Sequence, residues 1–406
     1  KQAIPLFLII LFANLSQAQS NDYNSLWKEI GQLESNGLTQ SALEAVNVIS
    51  KKAKADNNSP QIVKALIFKS KYALTLEEDA QLNIINDFKS EIEQSEVPTK
   101  NLLENMLANL YWQYFNENRY QFYNRSKTVS KVDTEDFRTW DLETLFAEIH
   151  FYYNRSLANS LLLQQVDLNQ FNALLQIQKN SRTFRPTLFD LLNHNALEFY
   201  KSDENSITKP AYTFDIDDSK YLNEASSFSQ LEIESKDSTS LKLRALKIYQ
   251  NLIRFHLKDK SLDALTDVNI ERLKFVRQHA TFDDKDDLYL KALQTESDRQ
   301  KTLSISGLYN FEIAQLYVQQ GNTYQPKTNE KERWKIKFAL ALCDEVKTMF
   351  PQSTADQKCE VLRSQITQQT LQITSEVHLP IQKDARLLVR YKNVDKLSLV
   401  IHKLSQ

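Results

Sequence analysis

The sequence predicts a mainly α-helical protein: an array of helical hairpins followed by the opening strands of a β domain. Apolar residues recur at helical spacing up to about Thr370, and from Leu371 they alternate with polar residues, as in half-buried strands. The chain also contains only 4 glycines among its 406 residues. This scarcity suits helices joined by short turns, because each interior glycine weakens a helix.

Residues 1–18 have the pattern of a secretory signal peptide. Lys1 supplies a positive charge, residues 4–13 form an apolar run, and Ser16 and Ala18 give the small-residue cleavage pattern. The apolar run is about half of the ~20 residues that span a bilayer, so we favour a cleaved signal over a retained anchor. The residue directly after the cleavage position is not the cysteine that a bacterial lipid anchor needs. We therefore expect an exported, non-lipidated protein of the periplasm or cell surface, with no membrane span after signal removal.

The overall charge argues against some classes of partner. The chain carries 50 basic and 52 acidic side chains, and its pI is about 6.4. This balance disfavours nucleic acid or an anionic membrane surface as the main partner. The length exceeds the usual reach of one hydrophobic core, so several domains or a repeat array are expected.

An N-terminal helical array is predicted at residues 19–201. Asn36 and Gly37 are expected to end its first helix in a left-handed cap. Residues 202–240 are polar and interrupt the helical pattern, so we interpret them as a surface excursion or linker. The helices of this array are expected at residues 23–35, 39–55, 61–76, 80–95, 99–115, 140–163, 168–178 and 187–201.

A second helical array is predicted at residues 241–370. Its last two helices follow a tetratricopeptide-like unit most closely, with small residues such as Ala339 where helices cross and Pro351 at the turn. The strict ~34-residue consensus is absent, so we interpret the repeats as degenerate. The helices are expected at residues 241–257, 268–279, 288–294, 304–319, 330–349 and 353–369.

Residues 371–406 are predicted to be the start of a truncated β domain. Alternating patterns predict strands at residues 371–378, 386–391 and 396–404. Three strands bury little apolar surface alone and usually need more sheet to pack against. The chain also lacks a Met at its first position. We therefore interpret the sequence as the front end of a longer protein.

Motifs for catalysis, metal binding and cofactor binding are missing from the sequence. The glycines do not cluster into a P-loop or a dinucleotide fingerprint, and no G-x-S-x-G or H-E-x-x-H motif is present. The acidic run at residues 283–287 lacks the Gly and the terminal Glu of a calcium loop, and we interpret it as a polar turn. His194 and Glu198 share a helical face and are interpreted as an exposed helix pair. We predict a non-enzyme with no catalytic, metal-binding or cofactor-binding residue.

Cys343 and Cys359 are the two cysteines of the chain, and they lie in successive predicted helices. In an exported protein a structural disulfide is the favoured interpretation, with two buried free thiols as the alternative. On the chain-entropy model, closing a loop of about 15 residues would stabilise the last repeat by about 3 kcal/mol. The cysteines do not form a C-x-x-C motif or a zinc site.

The densest aromatic stretch of the chain lies at residues 109–123. Its rings could form a stacking platform for a glycan or peptide partner, whereas packing in the core of the helical array is the favoured alternative. The candidate partner-binding aromatics are Tyr111, Trp112, Tyr114, Tyr120 and Tyr123.

Several stretches carry a family resemblance. They are residues 27–30, 37–45, 108–115, 140–146, 185–190 and 324–326. Together they resemble the N-terminal part of the large bacterial α-2-macroglobulin family proteins of the Bacteroidetes type. Residues 387–399 are similar to the opening strands of a macroglobulin-type β-sandwich. The resemblance covers nearly the whole chain, but no stretch in it is catalytic.

The resemblance implies an endopeptidase inhibitor that traps proteases. In the family a bait segment is cut, β domains rearrange, and in many members a Cys-x-Glu-Gln thioester captures the attacker. The sequence that follows Cys359 does not match that motif, so no functional residue is carried over. For this segment the resemblance implies a helical extension that docks envelope partners or positions the trap, with proteases bound through downstream domains. The alternative is a stand-alone envelope helical-repeat adaptor or a glycan- or peptide-binding protein.

Overall fold

The computed structural model describes residues 23–124, 135–202, 204, 212–237, 239–376, 378, 383–384, 386–400 and 402. This part of the chain is mainly helical and contains one small antiparallel sheet of two strands. The mainly α class predicted from the apolar spacing is therefore confirmed. The predicted signal peptide at residues 1–18 lies outside the described residues.

The chain is organised as two compact units. Unit 1 combines Lys1–Phe214 with Ile233–Phe255, and unit 2 combines Asp215–Glu232 with His256–Gln406. Each unit is therefore built from two stretches that are separated in the sequence.

Most of the longer helices lie close to the positions that the apolar periodicity predicts, whereas the short helices α6, α9 and α11 were not predicted. A break between α7 and α8 divides the helix predicted at residues 140–163, and the helix predicted at residues 168–178 is missing. In chain order the elements are α1 (residues 23–35), α2 (Thr39–Ala55), α3 (Ser59–Leu76), α4 (Ala80–Gln94), α5 (Thr99–Glu117), α6 (Arg119–Asn124), α7 (Leu142–Ser156), α8 (Ser160–Leu163), α9 (Ser181–Phe184), α10 (Leu188–Tyr200), α11 (Ala225–Gln230), α12 (Leu241–His256), α13 (Asp263–His279), α14 (Lys285–Arg299), α15 (Gly307–Gly321), α16 (Lys335–Met349), α17 (Thr354–Thr367), β1 (Thr370–Ser375) and β2 (Leu387–Lys392).

The turn between α1 and α2 has the predicted left-handed cap. Gly37 has a φ of 73°. Its N–H donates to the carbonyl of Glu34 at 3.0 Å, and the N–H of Leu38 donates to the carbonyl of Leu33 at 2.9 Å. These are the two hydrogen bonds of a Schellman motif, which satisfies carbonyls that the end of a helix leaves unpaired.

Unit 1 packs its helices in sequence order. Within the described residues α2 packs on α3, α3 on α4, α4 on α5, and α5 on both α7 and α10. The α2 side chains Ala42, Val46, Ile49 and Ala53 recur at helical spacing and are fully buried. Burying one Val or Ile side chain stabilises the fold by about 1.5–3 kcal/mol, so this apolar stripe fixes the face that α2 turns inward.

A tertiary contact joins the two ends of the segment in which the helix predicted at residues 168–178 is missing. Only Leu168–Phe171 forms a short 3₁₀ turn, which the carboxylate of Asp167 caps. Asp167 also pairs with Thr187 in an antiparallel bridge. The two ends of this segment therefore lie side by side, and the local periodicity does not show this long-range contact.

Unit 2 contains close helix crossings at two glycines of α15. A Cβ at Gly307 would lie 2.8 Å from the Cβ of Ala355 on α17, and a Cβ at Gly321 would lie 2.6 Å from Cγ1 of Ile336 on α16. Both distances are shorter than carbon atoms tolerate. Glycine therefore lets α15 approach α16 and α17 closely.

Arg272 on α13 is fully buried in unit 2. Its Nη1 donates to the carbonyl oxygens of Tyr221 at 2.7 Å and Asn223 at 2.9 Å, and its Nε donates to Oδ1 of Asn269 at 3.1 Å. Burial lowers the pKa of Arg272 to about 10. Hydrogen bonds from a charged group stabilise by about 1.5–3 kcal/mol each, so this side chain holds a segment of little regular structure against α13.

The polar stretch at residues 202–240 differs from the predicted surface excursion. Six of its apolar residues are buried, although Tyr212 is exposed, and the carboxylate of Asp237 accepts the backbone N–H of Phe214 at 3.1 Å. The described part is therefore not a solvated linker. The reason is that these apolar side chains are widely spaced and pack against segments that are distant in the sequence. The local sequence does not show those contacts. Its buried apolar residues are Phe214, Ile216, Tyr221, Leu222, Ala225 and Phe228.

The two strands form an antiparallel hairpin in which Thr370 lies opposite Lys392 and Ser375 lies opposite Leu387. The first two predicted strands are confirmed. The predicted third strand is wrong for residues 396–400, which are in no strand, and the rest of it falls largely outside the described residues. The predicted half-burial is also wrong, because β1 is exposed along its whole length and β2 nearly so.

Candidate functional site

The aromatic run on α5 turns mostly into the core of unit 1. Tyr111 is fully buried, and its ring centroid lies 5.4 Å from that of Phe137 and 5.9 Å from that of Trp140. Trp112 and Tyr114 are half-buried, and the Tyr114 ring lies 4.7 Å from that of Phe137. These three candidate partner-binding residues therefore contribute to helix packing.

Tyr120 and Tyr123 on α6 lie at the surface, with exposed fractions of 87% and 45%. The Tyr123 hydroxyl donates to Oε2 of Glu204 at 2.5 Å, and Arg119 forms an ion pair with the same carboxylate. The Arg119 guanidinium also lies 5.7 Å from the Tyr123 ring centroid. Of the predicted stacking platform, these two rings are the part that a partner can reach.

Cys343 on α16 and Cys359 on α17 are buried free thiols that contact each other. The hydrogen bond with Cys343, together with burial, raises the pKa of the Cys359 thiol. The structure thus brings the predicted pair together. The predicted disulfide stays a prediction, because this proximity is compatible both with two free thiols and with a disulfide.

Unit 1 contains a buried histidine, His194, and a half-buried one, His150, and neither belongs to a metal-binding group within the described residues. His194 is 4% exposed, whereas Glu198 is exposed and pairs with Lys201 at 3.0 Å. The predicted exposed pair of His194 and Glu198 is therefore wrong, because the histidine faces the core. His150 lies with its Nδ1 at 3.0 Å from the hydroxyl of Tyr200, and burial lowers the pKa of His150 to about 3.

Unit 2 contains a polar cavity of about 840 Å³, here called the unit 2 groove. A second cavity of about 500 Å³ adjoins it and shares Arg277, Lys285, Asp286 and Gln319 with it. The other residues that line the unit 2 groove are Asp284, Asp287, Gln320, Thr323, Asn329, Lys331, Glu332 and Lys335.

Several hydrogen-bond donors of the unit 2 groove are engaged within the protein. The Nε of Arg277 lies 2.7 Å from Oδ1 of Asp286, and its Nη1 donates to Oε1 of Gln319 at 2.9 Å. The Nζ of Lys285 donates to the carbonyl oxygen of Ala280 at 3.3 Å. These contacts fix the wall that α13 and α14 supply.

Two acceptor atoms of residues that line the unit 2 groove have no hydrogen-bond donor among the described residues. Glu332 is 6% exposed. Among the described residues, no donor contacts its Oε2 or the Oε1 of Gln320, although both atoms are buried. The sequence interpretation missed this groove and took residues 283–287 for a polar turn. No local pattern signals it, because its walls come from residues far apart in the sequence.

The β1–β2 hairpin presents one apolar face. Leu371 lies opposite Tyr391, Ile373 opposite Val389, and Ser375 opposite Leu387. Because side chains alternate along a strand, these residues share one face, and mainly polar residues take the other. The exposed fractions on the apolar face are 49% for Leu371, 48% for Ile373, 48% for Leu387 and 67% for Tyr391.

The hairpin is tied to the end of α17. The Nδ2 of Asn393 donates to the carbonyl oxygen of Ile366 at 2.8 Å and to that of Gln368 at 3.1 Å. The Nζ of Lys392 donates to the carbonyl of Gln365 at 3.2 Å. These contacts use carbonyls that the helix end leaves without an intrahelical partner, and they set the direction of the hairpin relative to α17.

Within the described residues, no group of three or more His, Cys, Asp or Glu side chains could hold a metal ion. In the same part of the chain, the helices lack the combined length and hydropathy of a membrane-crossing segment. Comparisons with protein-family models, with curated proteins and with solved structures find no match. A function for this chain must therefore be argued from the sequence resemblance and from the geometry above.

Proposed function

We propose that this chain is the N-terminal, non-catalytic helical part of an exported α-2-macroglobulin-like protein. In this role the tetratricopeptide-like helical array docks envelope partners or positions the trap. The β1–β2 hairpin opens the first macroglobulin-type β-sandwich. The single observation that carries the proposal is the uncovered apolar face of the hairpin.

A two-stranded hairpin is at best marginally stable in water. A β-sandwich would cover this face with a second sheet, packed about 10 Å away. Exposed flat strands with apolar side chains also invite pairing with other chains, which natural proteins avoid by covering them. The hairpin therefore has the properties of a sheet fragment that further strands complete.

The attachment of the hairpin to α17 supports a positioning role. Asn393 anchors the chain just after β2 to the carbonyls at the end of α17. A β domain built on β1 and β2 would then have a defined orientation relative to α17. Endopeptidase inhibition by protease trapping is the activity that the family resemblance implies for the assembled protein, with proteases bound through domains downstream of this segment.

A stand-alone envelope adaptor or glycan- or peptide-binding protein is the second candidate function. The polar unit 2 groove favours it, because a cavity of this size can hold a ligand. Tyr120 and Tyr123 add two exposed rings in unit 1.

The trapping proposal is tested on the protein that includes whatever coding sequence follows Gln406. A protease is incubated with it and assayed on a large protein substrate and on a small chromogenic peptide. A trap would block digestion of the large substrate and leave cleavage of the small peptide. Equal loss of both activities, or loss of neither, would contradict trapping. A variant that lacks residues 23–370 tests whether the helical array contributes.

A further inference from the structure

We propose that the unit 2 groove binds a cationic side chain of an extended peptide, with the carboxylate of Glu332 as its acceptor. This inference is independent of the trapping proposal, because it uses no residue of the hairpin, and it deepens the second candidate function, which rests on the same groove. It assigns a ligand class to a cavity for which the sequence shows no motif.

Glu332 is a buried carboxylate whose hydrogen-bonding capacity is only partly used. A buried carboxylate needs hydrogen-bond donors to replace the water that it loses on folding. Glu332 is 6% exposed, and its Oε2 accepts no hydrogen bond from the described residues. The Oε1 of Gln320, which lines the same groove, is also buried without a donor. Both unmatched atoms are acceptors, so the ligand must bring donors.

Lys331 is a weak internal partner of Glu332. Its Nζ lies 3.5 Å from Oε1 of Glu332, and its own side chain is 84% exposed. An ion pair with this separation, in which the ammonium group lies in solvent, contributes little to stability. The Lys331 ammonium can therefore move into solvent and open the carboxylate to a ligand that makes shorter hydrogen bonds.

The size and shape of the unit 2 groove suit a peptide side chain. The groove volume of about 840 Å³ lies within the ~300–1,000 Å³ typical of sites for organic ligands, and it is far larger than a metal ion needs. The adjoining cavity of about 500 Å³ shares a wall with it, so the combined space suits an extended ligand. A guanidinium offers a planar fork of N–H donors that matches a carboxylate, so arginine fits better than lysine.

Peptide binding by the full chain tests this site. The probes are fluorescein-labelled octapeptides of glycine and serine that contain two arginines, two lysines or two citrullines. Citrulline keeps the shape of arginine and removes its charge. Binding is measured by fluorescence anisotropy at one fixed, moderate salt concentration.

The variants are chosen in matched pairs. Glu332→Gln removes the acceptor charge, and Glu345→Gln removes one charge from an exposed position on α16. Lys331→Ala removes the internal competitor, and Lys301→Ala removes one charge from another exposed position. Thermal unfolding of each variant confirms that the fold is kept. Glu332→Gln should fold normally, because it relieves a buried charge.

The expected result is saturable binding of the arginine peptide, weaker binding of the lysine peptide and no binding of the citrulline peptide. Glu332→Gln should weaken arginine binding by about tenfold or more, as expected for loss of a desolvated charge pair. Lys331→Ala should strengthen it, and both control variants should bind like the wild type. The site is overturned by equal binding of the citrulline peptide, by equal weakening in Glu332→Gln and Glu345→Gln, or by no saturable binding of either cationic peptide.

Discussion

Leu371 lies directly opposite Tyr391 in the β1–β2 ladder, yet both side chains are exposed, by 49% and 67%. A cross-strand pair of this kind contributes only about 0.2–1 kcal/mol by itself. Burying such side chains would contribute more to the free energy of folding, but no part of the described chain covers them fully. This unused apolar face is the structural reason to treat the hairpin as the edge of a larger β domain.

Substitution of Ile373 tests whether further β structure covers the apolar face of the β1–β2 hairpin. Because Ile373 is exposed here, Ile373→Thr should change the unfolding free energy of this chain by less than about 0.5 kcal/mol. In the protein that continues past Gln406, the same change should cost about 2 kcal/mol or more, since Ile373 would then be buried. Chemical denaturation of both proteins gives the two values. Gln372→Thr, on the polar face, is the control, and equal small effects of Ile373→Thr in both proteins would contradict the account.

His150 should make unit 1 sensitive to acid. Burial lowers its pKa from 6.5 in the unfolded chain to about 3 in the folded chain, and the nearby Arg244 charge adds to this. Between these values the unfolded state binds more protons, so the stability that neutral His150 contributes is present above pH 6.5 and is lost as the pH falls towards 3.

The variant His150→Asn removes this titration. We expect the loss of unfolding free energy between pH 7 and pH 5 to be about 1–2 kcal/mol smaller in the variant than in the wild type. Denaturant unfolding at the two pH values measures it. The control variant is His378→Asn, which replaces an exposed histidine. An unchanged pH dependence in His150→Asn would show that His150 is not held neutral by burial.

Oxidation should join Cys343 and Cys359. Their thiols already contact each other, so a disulfide needs little movement of α16 or α17. Closing the loop should raise the unfolding free energy by about 3 kcal/mol on the chain-entropy model. Thiol titration in denaturant, before and after mild oxidation, counts the free thiols, and thermal unfolding gives the stability. A Cys343→Ala variant should show no gain, and two titratable thiols after oxidation would rule the bridge out.

The glycines of α15 and α1 should respond to alanine with opposite signs. Gly307→Ala should destabilise unit 2 by about 1–3 kcal/mol, because the added methyl would lie 2.8 Å from the Cβ of Ala355. Gly31 lies within α1, and an added Cβ there meets nothing within 4 Å. Gly31→Ala should therefore stabilise the protein by about 0.5–1 kcal/mol through helix propensity alone. Thermal unfolding of the two variants checks the pair, and stabilisation in both would show that the α15 crossing is looser than described.

Helical periodicity was enough to predict most of the fold. The stripe of Ala42, Val46 and Ile49 marks α2 because local spacing decides which face is buried. The helix predicted at residues 168–178 is absent, and a long-range pairing of Asp167 with Thr187 closes this segment instead. Local sequence does not contain that information.

The candidate sites were harder to predict than the helices. Sequence placed Tyr111 and Tyr120 in one aromatic run, but the first is buried and the second is exposed, because α5 ends between them. Cys343 and Cys359 were correctly expected to face each other across a short turn. Glu332 carries no local signal, since the burial of its Oε2 without a hydrogen-bond donor follows from packing between segments far apart in the chain.

The most direct test of the central proposal is to sequence the transcript downstream of Gln406. We predict an open reading frame that continues into several β-sandwich domains, the first of which extends the β1–β2 sheet and covers Leu371 and Tyr391 with a second sheet. A Cys-x-Glu-Gln motif in that continuation would further predict covalent capture of proteases. A stop codon within a few tens of residues would contradict the trapping proposal and leave the adaptor as the remaining function.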